Sequence, residues 1–169
     1  DLYWTSTVGD NVERIAQALK LGLSRSDIII TTGGLGPTID DPTREAVSLA
    51  INVKPEYREE LWQQVQERFR RYGSTPTENN KKQAYVPQGA IAIENPVGTA
   101  PSFIVENNGK VIISLPGVPG EMEKILSDAV MPYLRKKFNL DQIILARILH
   151  TAGIGESKLD SIIGDLEVG

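Results

Sequence analysis

A run of β-branched residues, Ile28-Ile29-Ile30-Thr31-Thr32, breaks directly into Gly33-Gly34-Leu35-Gly36-Pro37. The run carries no polar alternation, so it predicts a strand buried on both faces, as in a parallel sheet. Pro42 sits where a helix accepts proline, at its first position, and Arg44 to Ile51 read as that helix. The order is strand, glycine loop, helix. In open α/β sheets such loops lie at the carboxyl ends of the strands, where ligands bind. A second loop of this kind follows the β-like run Lys110 to Leu115, as Pro116-Gly117-Val118-Pro119-Gly120, and opens a helix from about Glu121 to Lys137.

Around these two units the rest of the chain alternates. Val12, Ile15, Ala16, Leu19 and Leu23 line one helical face, with Asp10 at the expected N-cap and Glu13 three residues on. A further helix is predicted from Glu56 to Tyr72, stopped by Gly73, and a polar one from Thr77 to Tyr85. Ala90 to Glu94 and Ser102 to Glu106 read as strands, and Asn107-Asn108-Gly109 as a hairpin turn into Lys110. The expected fold class is α/β, with a mainly parallel sheet and helices on both faces. Beyond Phe138 the pattern changes to a strand at Ile143 to Leu149 and a short helix at Glu156 to Ile163. A domain of residues 1–138 and the start of a small α+β unit at 139–169 are expected.

The chemistry resides in the loops. Glycines let several N–H groups converge on one anion beside a helix N-terminus, so Gly33, Gly34, Gly36 and Thr38 are candidates for phosphate. The spacing matches neither the Walker loop nor the dinucleotide G-x-G-x-x-G fingerprint, and a tight turn is the plainer reading. Asp40 and Asp41 have the oxygen ligands that Mg²⁺ takes when it bridges phosphates, although an aspartate before proline is also an ordinary helix cap. Asp10 has the same two readings. Asn79-Asn80-Lys81-Lys82 is either a solvated helix face or part of a site, and Asn95-Pro96-Val97-Gly98-Thr99-Ala100-Pro101 is either a turn or a ligand contact. His150 is given no role, and Trp4 and Trp62 are read as packing residues.

Composition closes several alternatives. Across 169 residues there is no cysteine and a single histidine, His150. Disulfides, thiolate zinc sites, cysteine nucleophiles and His-cluster zinc sites are thereby excluded, and a reducing compartment, the cytoplasm, is expected. A net charge of -4 argues against general nucleic-acid binding. No apolar run reaches the roughly 20 residues of a membrane helix, and no signal peptide is read at the first residues. Hydrophobic content of 40% suits a packed core.

Five motifs then occur in order: Thr-Val-Gly-Asp-Asn at 7–11, the Ser26 to Ala46 segment with Thr-Thr-Gly-Gly-Leu-Gly-Pro-Thr-x-Asp-Asp, Glu-Asn-Asn-Lys-Lys-Gln-Ala at 78–84, Asn-Pro-Val-Gly-Thr-Ala-Pro at 95–101, and Leu-Pro-Gly-Val-Pro-x-Glu-Met at 115–122. Together they resemble the N-terminal domain of the competence/damage-inducible CinA family, which shares the molybdopterin-binding fold of MogA, MoaB and MoeA. The resemblance covers about residues 1–138. It implies a three-layer α/β/α domain whose family opens with a further strand and helix, expected to precede this chain. It also implies metal-dependent ADP-ribose pyrophosphatase activity. Carried over, Asp41, Asp10 and Lys82 are catalytic, and Asp41, Asp40 and Asp10 hold a divalent metal such as Mg²⁺, with a monovalent cation as a further cofactor. Gly33, Gly34, Gly36, Thr38, Asn80, Gly98, Thr99, Pro116 and Gly117 contact the nucleotide. The partner implied is a small nucleotide, with no nucleic acid or membrane, in a homo-oligomer whose full-length form carries a deamidase-type C-terminal domain. Two alternatives stay open: a non-catalytic nucleotide or molybdopterin module, and a molybdopterin adenylyltransferase-like enzyme. Asp40-Asp41, where the transferases tend to show Arg-Asp, disfavours the last.

Overall fold

The computed structural model describes residues 2–140 and 150–164. The chain divides into two compact units, residues 1–139 and 140–169. The first unit is built on a four-stranded sheet of order β1-β6-β5-β4. β1 is Ile28–Thr32, β4 Ile91–Ile93, β5 Ser102–Asn107 and β6 Lys110–Leu115. β1 runs parallel to β6, with Ile28 opposite Val111 and Thr32 opposite Leu115. β5 is antiparallel to both β6 and β4.

The sheet is therefore mixed, and the parallel character expected of it is confined to one pair. The reason is local. Asn108 and Gly109 adopt φ of 50° and 80°, a two-residue turn that folds β6 back beside β5 and forces antiparallel pairing. Among the described residues β1 lies at the edge of the sheet. Ile28 and Ile29 are half-buried and Ile30 is 47% exposed.

Side-chain alternation splits the core into two layers, giving the α/β/α sandwich. Ile29, Phe103, Val105 and Ile112 meet α1 (Val12–Arg25), α2 (Thr43–Ala50) and α3 (Glu59–Arg71) through Ala16, Leu19, Val47 and Leu61. Ile104, Val111, Ile113 and Leu115 meet α4 (Pro119–Ile125), the turn Leu126–Val130 and α5 (Met131–Phe138) through Ile125, Val130 and Leu134. Each aliphatic side chain buried this fully contributes roughly 1.5–3 kcal/mol.

Several element ends moved. The cap of α1 is Asn11, whose Oδ1 accepts from the Arg14 N–H at 2.9 Å, and not Asp10. α3 starts at Glu59, because Pro55–Tyr57 forms β2, paired antiparallel with β3 (Tyr85–Pro87). Three-residue strands joined across a helix leave no periodic trace in sequence. The polar helix is a 3₁₀ turn, Glu78–Ala84. The long helix read from Glu121 to Lys137 begins at Pro119 and is interrupted by a π turn at Leu126–Val130, just before Pro132. Proline has no N–H and its ring crowds the preceding turn, so the helix widens there. Trp62 packs on the core as expected, whereas Trp4 is 58% exposed beneath the Arg25 guanidinium at 4.1 Å.

In the second unit α6 spans Glu156–Ile163, as read from sequence. The strand expected at Ile143 to Leu149 lies outside the described residues.

Candidate functional site

Because β1 and β6 are parallel and in register, the loops that follow them leave the same rim of the sheet. They touch. The Gly33 N–H donates to the Leu115 carbonyl at 2.9 Å, and a Cβ built on Gly117 would stand 3.3 Å from the Gly33 Cα. Gly117 leaves room for this backbone approach, and Gly33 is held at φ of +90°, so the two sequence-predicted loops are one surface. Gly117 is exposed on it, while Pro116 is buried beneath.

The first loop is folded around its own carboxylate. Asp41 Oδ2 accepts from the Thr38 N–H at 2.9 Å and from Thr38 Oγ1 at 2.6 Å. The Gly36 N–H also bonds the Asp41 side chain. Gly36 has to be glycine, since any Cβ would collide with that carboxylate. Gly34 has φ of +68°, and its missing Cβ leaves room for Thr43, whose Oγ1 donates to the Gly33 carbonyl at 2.9 Å. Partial burial works to raise the Asp41 carboxyl, but the Thr38 hydroxyl, the amides of Thr38 and Gly36 and the Lys82 charge outweigh it and hold it below its ordinary value. Asp41 is thus a permanent anion at neutral pH, suited to cation binding or electrostatics and unsuited to general-acid work. Neither it nor Asp40 makes a side-chain cap to α2, whose N-cap position is Pro42. Two of the amides assigned to phosphate, at Gly36 and Thr38, already serve this aspartate.

Lys82 reaches the loop from the 3₁₀ turn. Its Nζ donates to the Thr38 carbonyl at 2.9 Å and lies 3.4 Å from Glu45 Oε1. Beneath them Arg44 is only 1% exposed. It donates from Nη1 to the Leu35 carbonyl at 2.8 Å and from Nη2 to the Pro101 carbonyl at 3.3 Å, while its Nε has no partner. Burial pushes its pKa down to about 10 against the opposing pull of Glu45 and Asp41, so it stays charged at neutral pH. Sequence reasoning missed Arg44. The available signal was a cation three residues before Val47, on the stripe that α2 buries.

The other assigned residues divide. Asn80 is buried and committed to a capping box: its Oδ1 accepts from the Thr77 N–H at 2.8 Å and its Nδ2 donates to Gln83 Oε1 at 3.1 Å. It supports the site from below. Gln83 then donates to Thr99 Oγ1 at 3.3 Å. Gly98 is held by Asn95, whose Oδ1 accepts its N–H at 2.8 Å and whose Nδ2 donates to Glu121 Oε2 at 2.6 Å. Asn95 and Glu121 therefore link the 95–101 segment to α4, a connection between two motifs that no local pattern shows. Asp40 and Asp10 are exposed. Among the described residues no three His, Asp or Glu side chains gather into a metal-binding group, so Asp10, Asp40 and Asp41 do not form a three-carboxylate cage. Mg²⁺ bound through phosphate takes only one or two carboxylates, completed by phosphate oxygens and water; Asp40 and Asp41 are the adjacent carboxylates of this loop.

A cavity of about 600 Å³ opens beside the loop, with Thr38, Ile39, Arg44, Lys82 and Tyr85 among its walls. Among the described residues no helix is long and apolar enough to cross a membrane.

Comparison with known proteins agrees with this fold. A competence-damage inducible protein of Halothermothrix orenii is 47% identical over 166 residues, 98% of this chain and 40% of its own length. A protein of the same description from Caldicellulosiruptor saccharolyticus gives 47% over 166 residues with the same coverage. The chain thus spans about 40% of the length of these curated relatives. The crystal structure of CinA from Thermoplasma acidophilum, described as of unknown function, is 37% identical with a TM-score of 0.66, covering 73% of this chain and 72% of that one. Residues 1–136 match the family model described as "Probable molybdopterin binding domain", and the chain belongs to that family as a CinA-like member.

Proposed function

We propose that the rim binds the diphosphate of a nucleoside diphosphate sugar and that the domain hydrolyses its P–O–P bridge, with ADP-ribose as the model substrate. The observation that carries this reading is Asp41, held ionised between the loop amides and Lys82 at the junction of two glycine loops. Gly33 and Gly117 present bare backbone at that junction, which lets a phosphate chain approach closely. Lys82 supplies positive charge toward the phosphoryl oxygens, and Gly98 and Thr99 remain proposed nucleotide contacts. Asp41 and Asp40 are the residues that would hold Mg²⁺, and when bound the ion supplies Lewis-acid polarisation of a phosphoryl oxygen. Water adds across the bridge, so the products are AMP and ribose 5-phosphate.

The test is AMP release from ADP-ribose by the purified chain with Mg²⁺. Turnover is expected in the wild type, with a loss of at least a hundredfold in Asp41→Asn. No AMP from the wild-type protein overturns hydrolysis. A second reading, a non-catalytic nucleotide or molybdopterin module, is favoured by the engagement of Gly36 and Thr38 with Asp41. Calorimetric binding with the ligand recovered unchanged would establish it.

A further inference from the structure

We infer that the cavity beside the Gly33–Asp41 loop seats the heteroaromatic base of the nucleotide, with Tyr85 as its stacking surface; this rests on the nucleotide reading above and adds to it where the base lies. Two observations carry it. First, Thr38 and Lys82 belong both to the wall of the cavity and to the cage around Asp41. A ligand with phosphate at the rim therefore has the cavity as its next available volume. At about 600 Å³ the cavity is within the range that small-molecule sites occupy.

Second, the walls suit a flat ring. Tyr85 lines the cavity and remains 41% exposed. Its ring is held by Tyr57 in an edge contact, centroids 5.3 Å apart and planes at 61°, on paired positions of β2 and β3. An aromatic that is exposed yet fixed is a low-entropy platform, and stacking a base on such a ring is sequence-tolerant and strong. Ile39 is 90% exposed at the tip of the loop and also lines the cavity. An isoleucine this exposed contributes little to the fold, and apolar cover over a base gives it a use.

The experiment compares AMP with ribose 5-phosphate by calorimetry on the full chain with Mg²⁺. The two share the phosphorylated ribose and differ by the base. Wild-type protein is expected to bind AMP the more tightly. Tyr85→Ala should weaken AMP about tenfold and leave ribose 5-phosphate unchanged, and Tyr85→Trp should restore AMP binding. Ile39→Ser, at a position too exposed to disturb the fold, should weaken AMP about threefold, again without changing ribose 5-phosphate. If wild type binds both compounds equally, or if Tyr85→Ala weakens both alike, the base site is wrong while the phosphate site stands. If wild type binds neither, the nucleotide reading falls and this inference with it.

Discussion

The loops after β1 and β6 leave the sheet side by side, yet they are stabilised in opposite ways. The first is wound around polar side chains: Asp41 gathers the Thr38 and Gly36 amides, Thr43 ties Gly33, Arg44 ties Leu35, and Lys82 ties Thr38. The second, Pro116 to Gly120, is shaped by prolines and by the start of α4, where the Glu121 and Met122 N–H groups reach back to the Val118 carbonyl. One loop is a charged, interlocked cage. The other is a stiff wall with Gly117, Val118 and Gly120 exposed. Charge at this rim is therefore supplied from one side, and substitutions in the two loops should have unequal consequences.

The largest contrast is expected at Arg44. Arg44→Met strips the Leu35 and Pro101 carbonyls of their buried donor and should cost on the order of 3 kcal/mol in urea unfolding. Val118→Ala, at an exposed position of the other loop, should stay within about 0.5 kcal/mol. Next come the glycines. Gly36→Ala drives a methyl group into the Asp41 carboxylate and should cost about 2 kcal/mol. Gly120→Ala meets nothing within 4 Å and, inside α4, should be neutral or mildly stabilising. Similar values for the pair would show that the cage does not constrain the first loop.

Thr38→Val is smaller. It removes one hydroxyl from Asp41, with an expected cost of about 1 kcal/mol, and the Asp41 carboxyl should then titrate at higher pH by carbon-detected NMR. The smallest effect is in acid. The Asp41 carboxyl titrates below its ordinary 3.8 in the folded chain. Its contribution to stability is therefore complete above the unfolded value and is lost as pH falls through the folded one. Asp41→Asn should lack that share of the acid limb, measured as a shallower fall in stability below about pH 4. Identical limbs for wild type and variant would remove Asp41 from the charges that hold the loop.

Legibility followed the range of the interactions. Strand β6, the hairpin at Asn108-Gly109 and helix α6 were readable because each is announced by a few adjacent residues. The meeting of the two loops was also readable, since a parallel neighbour relation places carboxyl-terminal turns at one rim. Within the candidate site, Asp41 and Lys82 were singled out from sequence, and both side chains bond Thr38. Asn80 was assigned to the ligand, but its amide is consumed by Thr77 and Gln83. A side chain's partners are set by what folds against it, and two adjacent asparagines carry no record of which one turns inward.

Residue order alone thus determined the strand, glycine loop and helix succession, the glycines that lack room for a side chain, and the carboxylates beside them. These follow from backbone sterics and from periodicity, which act over a few residues. Tertiary structure alone decided that β2 pairs with β3 and that Arg44 is buried with an unsatisfied nitrogen. It also decided that Asp41 fills amides available to a phosphate. Each of these depends on which distant segment arrives alongside, because packing and hydrogen-bond partnership are settled by proximity in space.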